Sequence, residues 1–167
     1  MTLTIHKQNV PVGVVNLLTL TEFGEPKLTI ELVPSTAWGD NLRSILTPKM
    51  WDTLRKKSYR KAKYKCEVCY GKGPKWPVEC HEIWHYDDIT RIQTLKGLIA
   101  LCPDCHSVKH MGFAHLQGKG DIARDHLAKT NQWSQSKASQ YIGLVFKQWE
   151  ARSQSEWDLN LDWLGTQ

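Results

Sequence analysis

The chain has 167 residues, 41% of them hydrophobic and 23% charged, with a formal net charge of +5. That length suits one domain with a sizeable core and argues against two, and the composition argues against global disorder. No apolar run approaches the roughly 20 residues that a membrane-spanning helix needs. The opening MTLTIHKQNV lacks the basic stretch, apolar run and cleavage site of an export signal, so a reducing, cytoplasmic setting without a membrane partner is expected.

In chain order, VGVVNLLTL (12–20) and KLTIELV (27–33) flank the turn-forming Gly24 and Pro26 and are predicted to form a β-hairpin, part of an N-terminal β extension over 1–46. Thr47 and Pro48 read as an N-cap followed by proline at the first helical position. The helix predicted over 48–62 has Trp51, Leu54 and Ala62 on a packing stripe, with Arg55, Lys56, Lys57, Arg60 and Lys61 over the remainder. Between Lys49 and Glu79, ten Lys or Arg stand against three acids, net +7, while the other residues sum to −2. So concentrated a charge points to an anionic partner, a solvated helix face being the competing reading.

VECHEIWHY and RIQTLKGLIALC have the apolar, β-branched content of two strands, and CPDCHSVKH reads as a turn entering a helix. After Gly112, helices are predicted over 121–129 and from Gln135 to Arg152, the second capped by Ser134 and packing through Ala138, Ile142, Val145 and Trp149. EWDLNLDWL alternates Trp157, Leu159, Leu161 and Trp163 and suggests a short strand. The eight tryptophans, spread from Trp38 to Trp163, distribute burial along the chain, so 113–167 is expected to be a helical extension packed on the same domain.

Cys66-Glu-Val-Cys69 and Cys102-Pro-Asp-Cys105 are paired C-x2-C knuckles, which in a reducing compartment are metal sites before they are disulfides. The two-residue spacer lets both sulfurs of a knuckle reach one tetrahedral ion, and four thiolates leave no position for water, so structural Zn2+ is expected. Cys80 lies outside the knuckles and reads as a small buried hydrophobe. His106 and His110, four apart at the start of a predicted helix, project from one face and can chelate an ion.

Together CEVC (66–69), VECHEIW (78–84), GLIALC (97–102) and CPDCHSVKH (102–110) resemble the HNH endonuclease family over residues 66–110. The resemblance implies an α+β fold centred on a zinc-stapled ββα-metal module over 47–112, led by the basic helix. It implies that His81, His106 and His110 hold a catalytic divalent ion, Mg2+, Mn2+, Ni2+ or a second Zn2+, and that the chemistry is phosphodiester hydrolysis on nucleic acid, DNA first. Small members of the family occur in phages and mobile elements.

The chain departs from the family pattern at two letters, with Glu82 at the usual catalytic histidine and Gly97 at the usual asparagine. Three bases are open: Glu82 itself, His85 four residues beyond His81, or His81 after a one-residue slip that makes Cys80 a ligand. Arg55, Lys56, Lys57, Arg60 and Lys61 are the expected phosphate contacts. The alternative is a domain that keeps the fold, has lost cleavage, and serves as an adaptor or inhibitor binding nucleic acid or protein. Asp87 and Asp88 read as an acidic turn, Trp76 and Trp84 as packing residues, and His6, His115 and His126 as surface residues.

Overall fold

The computed structural model describes residues 20–167. A short helix α1 (Leu42–Ile45) leads into α2 (Pro48–Lys61), then a long hairpin of β1 (Glu79–Asp87) and β2 (Ile92–Leu101). Four helices follow, α3 (Pro103–Lys109), α4 (Met111–Leu116), α5 (Gly120–Asn131) and α6 (Gln135–Arg152), and the chain closes with β3 (Asp158–Asn160) and a 3-10 turn, Asp162–Thr166. No helix among the described residues is long and apolar enough to cross a membrane.

Local chemistry sets the element ends. Thr47 caps α2 through its side chain and Pro48 occupies the first turn, where its missing N–H costs nothing. Ser134 caps α6 in the same way. The β1–β2 turn is held by Asp87, whose carboxylate accepts the N–H groups of Ile89 and Thr90 at 2.9 and 3.0 Å. Asp88 is drawn the other way, into two bonds of 2.8 and 2.7 Å from the Arg152 guanidinium, so the acidic pair is spent on the turn and on anchoring α6.

The sheet order is β1-β2-β3, antiparallel between the first two strands and parallel between β2 and β3. Its register pairs Glu79 with Leu101, His81 with Ile99 and Ile83 with Gly97, and shifts by one at a bulge that passes over Lys96. Strand alternation then divides the hairpin. Glu79, His81 and Ile83 share one face, while Cys80, Glu82 and Trp84 share the other.

The first face lies on the larger core, which joins Leu28, Ile30, Cys66, Leu101, Cys105, Val108 and Met111 to Leu127, Ala138 and Val145 of the C-terminal helices. The second lies on a smaller cluster of Leu42, Trp51 and Leu95, with Cys80, Trp84, Leu98 and Trp163 against it. Gly97, expected at a loop-fixing position, is a mid-strand residue beside the bulge.

Three expectations are corrected. Residues 27–33 form no strand: Leu28 and Ile30 are buried against helices, and the Leu28 N–H and C=O are both taken by the Asn131 side chain, at 3.0 and 2.8 Å. The Glu31 N–H goes to the Lys109 carbonyl, so helix ends satisfy this backbone where a ladder was expected. Residues 12–19 of its expected hairpin partner, and His6, lie outside the described residues. Trp76, expected to pack, is 61% exposed, whereas Trp84 does pack. An additional helix, α4, begins at Met111 across the glycine read as a boundary.

Asp88 is nearly inaccessible and Arg152 largely so. Asp88→Ala strands a buried guanidinium, and we expect it to lower unfolding free energy by about 3–5 kcal/mol, measured as a shift in the urea midpoint at constant slope.

Candidate metal centres

The two knuckles converge from different parts of the chain. Cys66 and Cys69 sit in the loop after α2, while Cys102 caps α3 and Cys105 lies in its first turn. The four sulfurs lie within 4.8 Å of one another and none is in a disulfide. Cys69 Sγ and Cys102 Sγ are 3.5 Å apart. Backbone amides point at the sulfurs, Cys69 N–H to Cys66 Sγ at 3.5 Å and Gly71 N–H to Cys69 Sγ at 3.4 Å. A side chain at Gly73 would meet the Trp76 carbonyl oxygen at 2.1 Å and Pro103 at 2.6 Å, so glycine is required where the knuckle loop passes α3.

Electrostatics inside the cluster are those of thiols competing for one negative charge. The hydrogen bond from Cys105 holds the Cys66 thiol well below its ordinary range, despite burial. The same bond and burial push Cys105 up, and burial pushes up Cys102. Without a cation one sulfur ionises at the others' expense, and a divalent ion would relieve that conflict by taking all four as thiolates. The donor set and spacing fit zinc.

His126, expected on the surface, is half-buried in α5 with Nε2 at 3.1 Å from Cys105 Sγ. It reaches the cluster from 21 residues away, which no ligand spacing signals. Cys80 stays apart, on the far face of β1, and burial raises its thiol to about 12, so it is a neutral packing group.

The second cluster stands on the hairpin's first face. His81 comes from β1, and His106 and His110 from successive turns at α3. Their ligand nitrogens lie within 4.8 Å of one another, and the ring centroids are 4.7 to 5.5 Å apart. His106 Nε2 faces His110 Nε2 at 3.1 Å. Burial lowers the pKa of His106, and burial with the neighbouring His106 and His81 takes His110 to about 4. Those two imidazoles are therefore neutral at pH 7, as a metal requires.

Two carboxylates back these rings, and the sequence did not single out either. Glu79, two residues before His81 and on its face, holds His106 Nδ1 at 2.5 Å. Glu31, from the extended 27–33 segment, meets His81 Nε2 at 2.8 Å with one oxygen and the buried Lys109 ammonium at 2.5 Å with the other. Burial opposes ionisation of Glu31, but the His81 and Lys109 bonds outweigh it and hold its carboxyl below the usual range. Carboxylate bonds of this kind fix the tautomer and orientation of ligating histidines.

Of the three candidate bases, Glu82 and His85 are not brought to this cluster, and His81 is one of its members. Glu82 points from the opposite face of β1, its oxygens accepting the Leu42 N–H at 2.9 Å and the Trp84 indole N–H at 3.0 Å. Burial lifts its pKa, and those two bonds pull it partway back. His85 is exposed and shares the His81 face, but four residues along, about 13 Å at about 3.3 Å per residue.

The basic helix α2 also packs on the far face, through Trp51. Asp52 there binds Arg55 and Lys56, and the Lys57 ammonium lies 3.5 Å from Gln167, while Arg60 and Lys61 are exposed without an acidic partner among the described residues. The basic helix and the histidine cluster thus occupy opposite sides of one hairpin.

No family model, no curated protein and no solved structure matches the chain. What stands is a small α+β domain with a three-stranded sheet and two clusters of residues that could chelate metal ions.

The clusters are separable by metal analysis. Cys102→Ser with Cys105→Ser is expected to unfold the domain, since such sites contribute on the order of 10 kcal/mol in small zinc domains. His106→Ala with His110→Ala should keep the far-ultraviolet circular dichroism and one equivalent of zinc while losing any second ion, read by elemental mass spectrometry.

Proposed function

We propose that the protein is an HNH-type, metal-dependent endonuclease that binds DNA and hydrolyses a phosphodiester, with zinc at the four cysteines as a structural staple. The supporting observation is the cluster of His81, His106 and His110, three imidazoles backed by the carboxylates of Glu79 and Glu31. Three protein ligands leave a position open for solvent or substrate, the pattern of catalytic rather than structural sites. A divalent ion there supplies Lewis-acid stabilisation of charge on the scissile phosphate and its leaving oxygen.

The chain's own contribution is orientation. Glu79 fixes His106 with Nε2 turned inward, Glu31 does the same service for His81, and Lys109 keeps Glu31 from swinging away. Arg60 and Lys61 are the freest cations for phosphate, with Lys56, Lys57 and Arg55 contributing less because of their partners. A duplex engaging both those cations and the histidines has to pass around the edge of the hairpin.

A second reading, a catalytically defective module that binds nucleic acid or protein, is favoured by one observation. Glu82, at the family's base position, is turned to the opposite face with both oxygens committed.

Purified protein incubated with supercoiled DNA and Mg2+, Mn2+, Ni2+ or Zn2+ should give nicked circles, and His81→Ala should lower the rate at least 100-fold. Glu82→Gln and His85→Ala, run beside it, identify the base by which one abolishes cleavage. Absence of nicking with every metal supports the defective module. Arg60→Glu with Lys61→Glu should weaken duplex binding and flatten its salt dependence, by about 0.9 in the log–log slope for each phosphate no longer neutralised.

A further inference from the structure

β1 is an edge strand, and the space along its free edge is not closed by the extended segment beside it. A cleft of about 220 Å³ opens there between residues 30–32, residues 84–86 and α6. It shares a wall with the histidine cluster, because Glu31 both lines the cleft and bonds His81 Nε2 at 2.8 Å.

We propose that this cleft receives a single unpaired nucleobase next to the histidine cluster, so that the favoured substrate is single-stranded or locally unpaired. The proposal rests on the endonuclease reading for the site next door, but not on cleavage itself. Trp149 lines the cleft from α6 with its indole N–H tied to the Val33 carbonyl at 2.9 Å, so its ring is held in place, while Trp84 lines it from β1 but bonds its indole to Glu82 Oε2 at 3.0 Å on the far face. A fixed indole forms a stacking surface that any base can use.

The cleft also contains an unused polar group. Gln148 is only 9% exposed, lines the cleft, and its side-chain amide has no hydrogen-bond partner among the described residues. That unpaired amide is available to a ligand, and its donor and acceptor side by side match the edge of a base. Tyr86, on the β1 wall, has a buried hydroxyl without a partner among the described residues.

Charge selects the ring over the phosphate. The Arg152 guanidinium is spent on Asp88 and Glu31 presents a carboxylate, so apart from the exposed imidazole of His85 no unpaired basic side chain lines the cleft. The volume lies below the roughly 300–1,000 Å³ that encloses drug-sized ligands, which suits one flat ring system better than a whole nucleotide. With the base in the cleft, its phosphodiester extends toward His81.

The test is equilibrium binding of a fluorescein-labelled single-stranded dodecamer, against the same strand with every base replaced by an abasic residue. The proposal expects the intact strand to bind at least fivefold more tightly, the lower end of what one base–aromatic stack contributes. It expects Gln148→Trp, which fills the cleft, to remove that advantage while leaving abasic binding unchanged. Gln148→Leu, a smaller change for the fold, should flatten the differences between homopolymers of the four bases.

Zinc content and melting temperature report whether each variant is folded. A folded Gln148→Trp that keeps the advantage overturns the proposal, as does a folded Gln148→Leu with undiminished base preference. If base-dependent binding is found and no metal supports nicking, the cleavage reading falls and the cleft stands. If nicking is found but intact and abasic strands bind alike, the cleft falls and the cleavage reading stands.

Discussion

Four sulfurs gathered within 4.8 Å are the constraint from which the rest of the structure follows. They tie the loop after α2 to the junction of β2 and α3, with Cys69 and Cys102 33 residues apart in the chain. Cys102 caps α3 and Cys105 sits in its first turn, so the start of that helix is fixed by the cluster. His106 is the next residue and His110 ends the same helix. The direction in which two of the three imidazoles point is therefore set by the cysteines, and the third is set by the β1–β2 register that ends at Leu101. Loss of the sulfur cluster would release the helix, and with it the histidines.

The hairpin works as a partition. Alternation sends Glu79 and His81 to one side and Cys80, Glu82 and Trp84 to the other. On the first side, polar side chains are bonded in two runs, Glu79–His106–His110 and His81–Glu31–Lys109, and the His81 ring meets the other two imidazoles edge-on. On the second, Glu82 serves structure, receiving the first N–H of α1 and the Trp84 indole. A one-residue offset in strand position thus decides whether an acid belongs to the histidine cluster or to packing. Glu79 and Glu82, three residues apart in sequence, fall on opposite sides of that line.

Much of this was legible in the sequence where the signal is local. The Thr47-Pro48 start of α2, the Ser134 cap of α6 and the two hairpin strands follow from turn chemistry and β-branched content. The four cysteines and the His106–His110 pair were legible because knuckle and helix spacings are geometric statements, whereas His81 was added by the family resemblance. Glu31 was not, since it reaches His81 across 50 residues from a segment that alternates like a strand. Apolar alternation in 27–33 records that Leu28 and Ile30 face inward, and cannot distinguish ladder pairing from packing on helix ends. His126 was hidden for the same reason, its partner Cys105 lying on another helix. The Met111–Leu116 helix was masked by Gly112, which tertiary packing overrides.

Charge separates the roles of the two clusters more sharply than ligand type alone. A divalent ion among four thiolates carries a formal −2, and amide N–H groups of Cys69 and Gly71 lean on the sulfurs to disperse it. Such an assembly would repel an anion and leave no free position, the pattern of a structural site. Imidazole brings no charge as a ligand, so the same ion held by His81, His106 and His110 would keep its full +2. Glu79 and Glu31 stand behind the rings, and the Lys109 ammonium offsets one of those two carboxylates. With an ion bound, the net charge at the histidine cluster would thus be positive and that at the sulfurs negative, a difference that would favour an anionic ligand at the imidazoles.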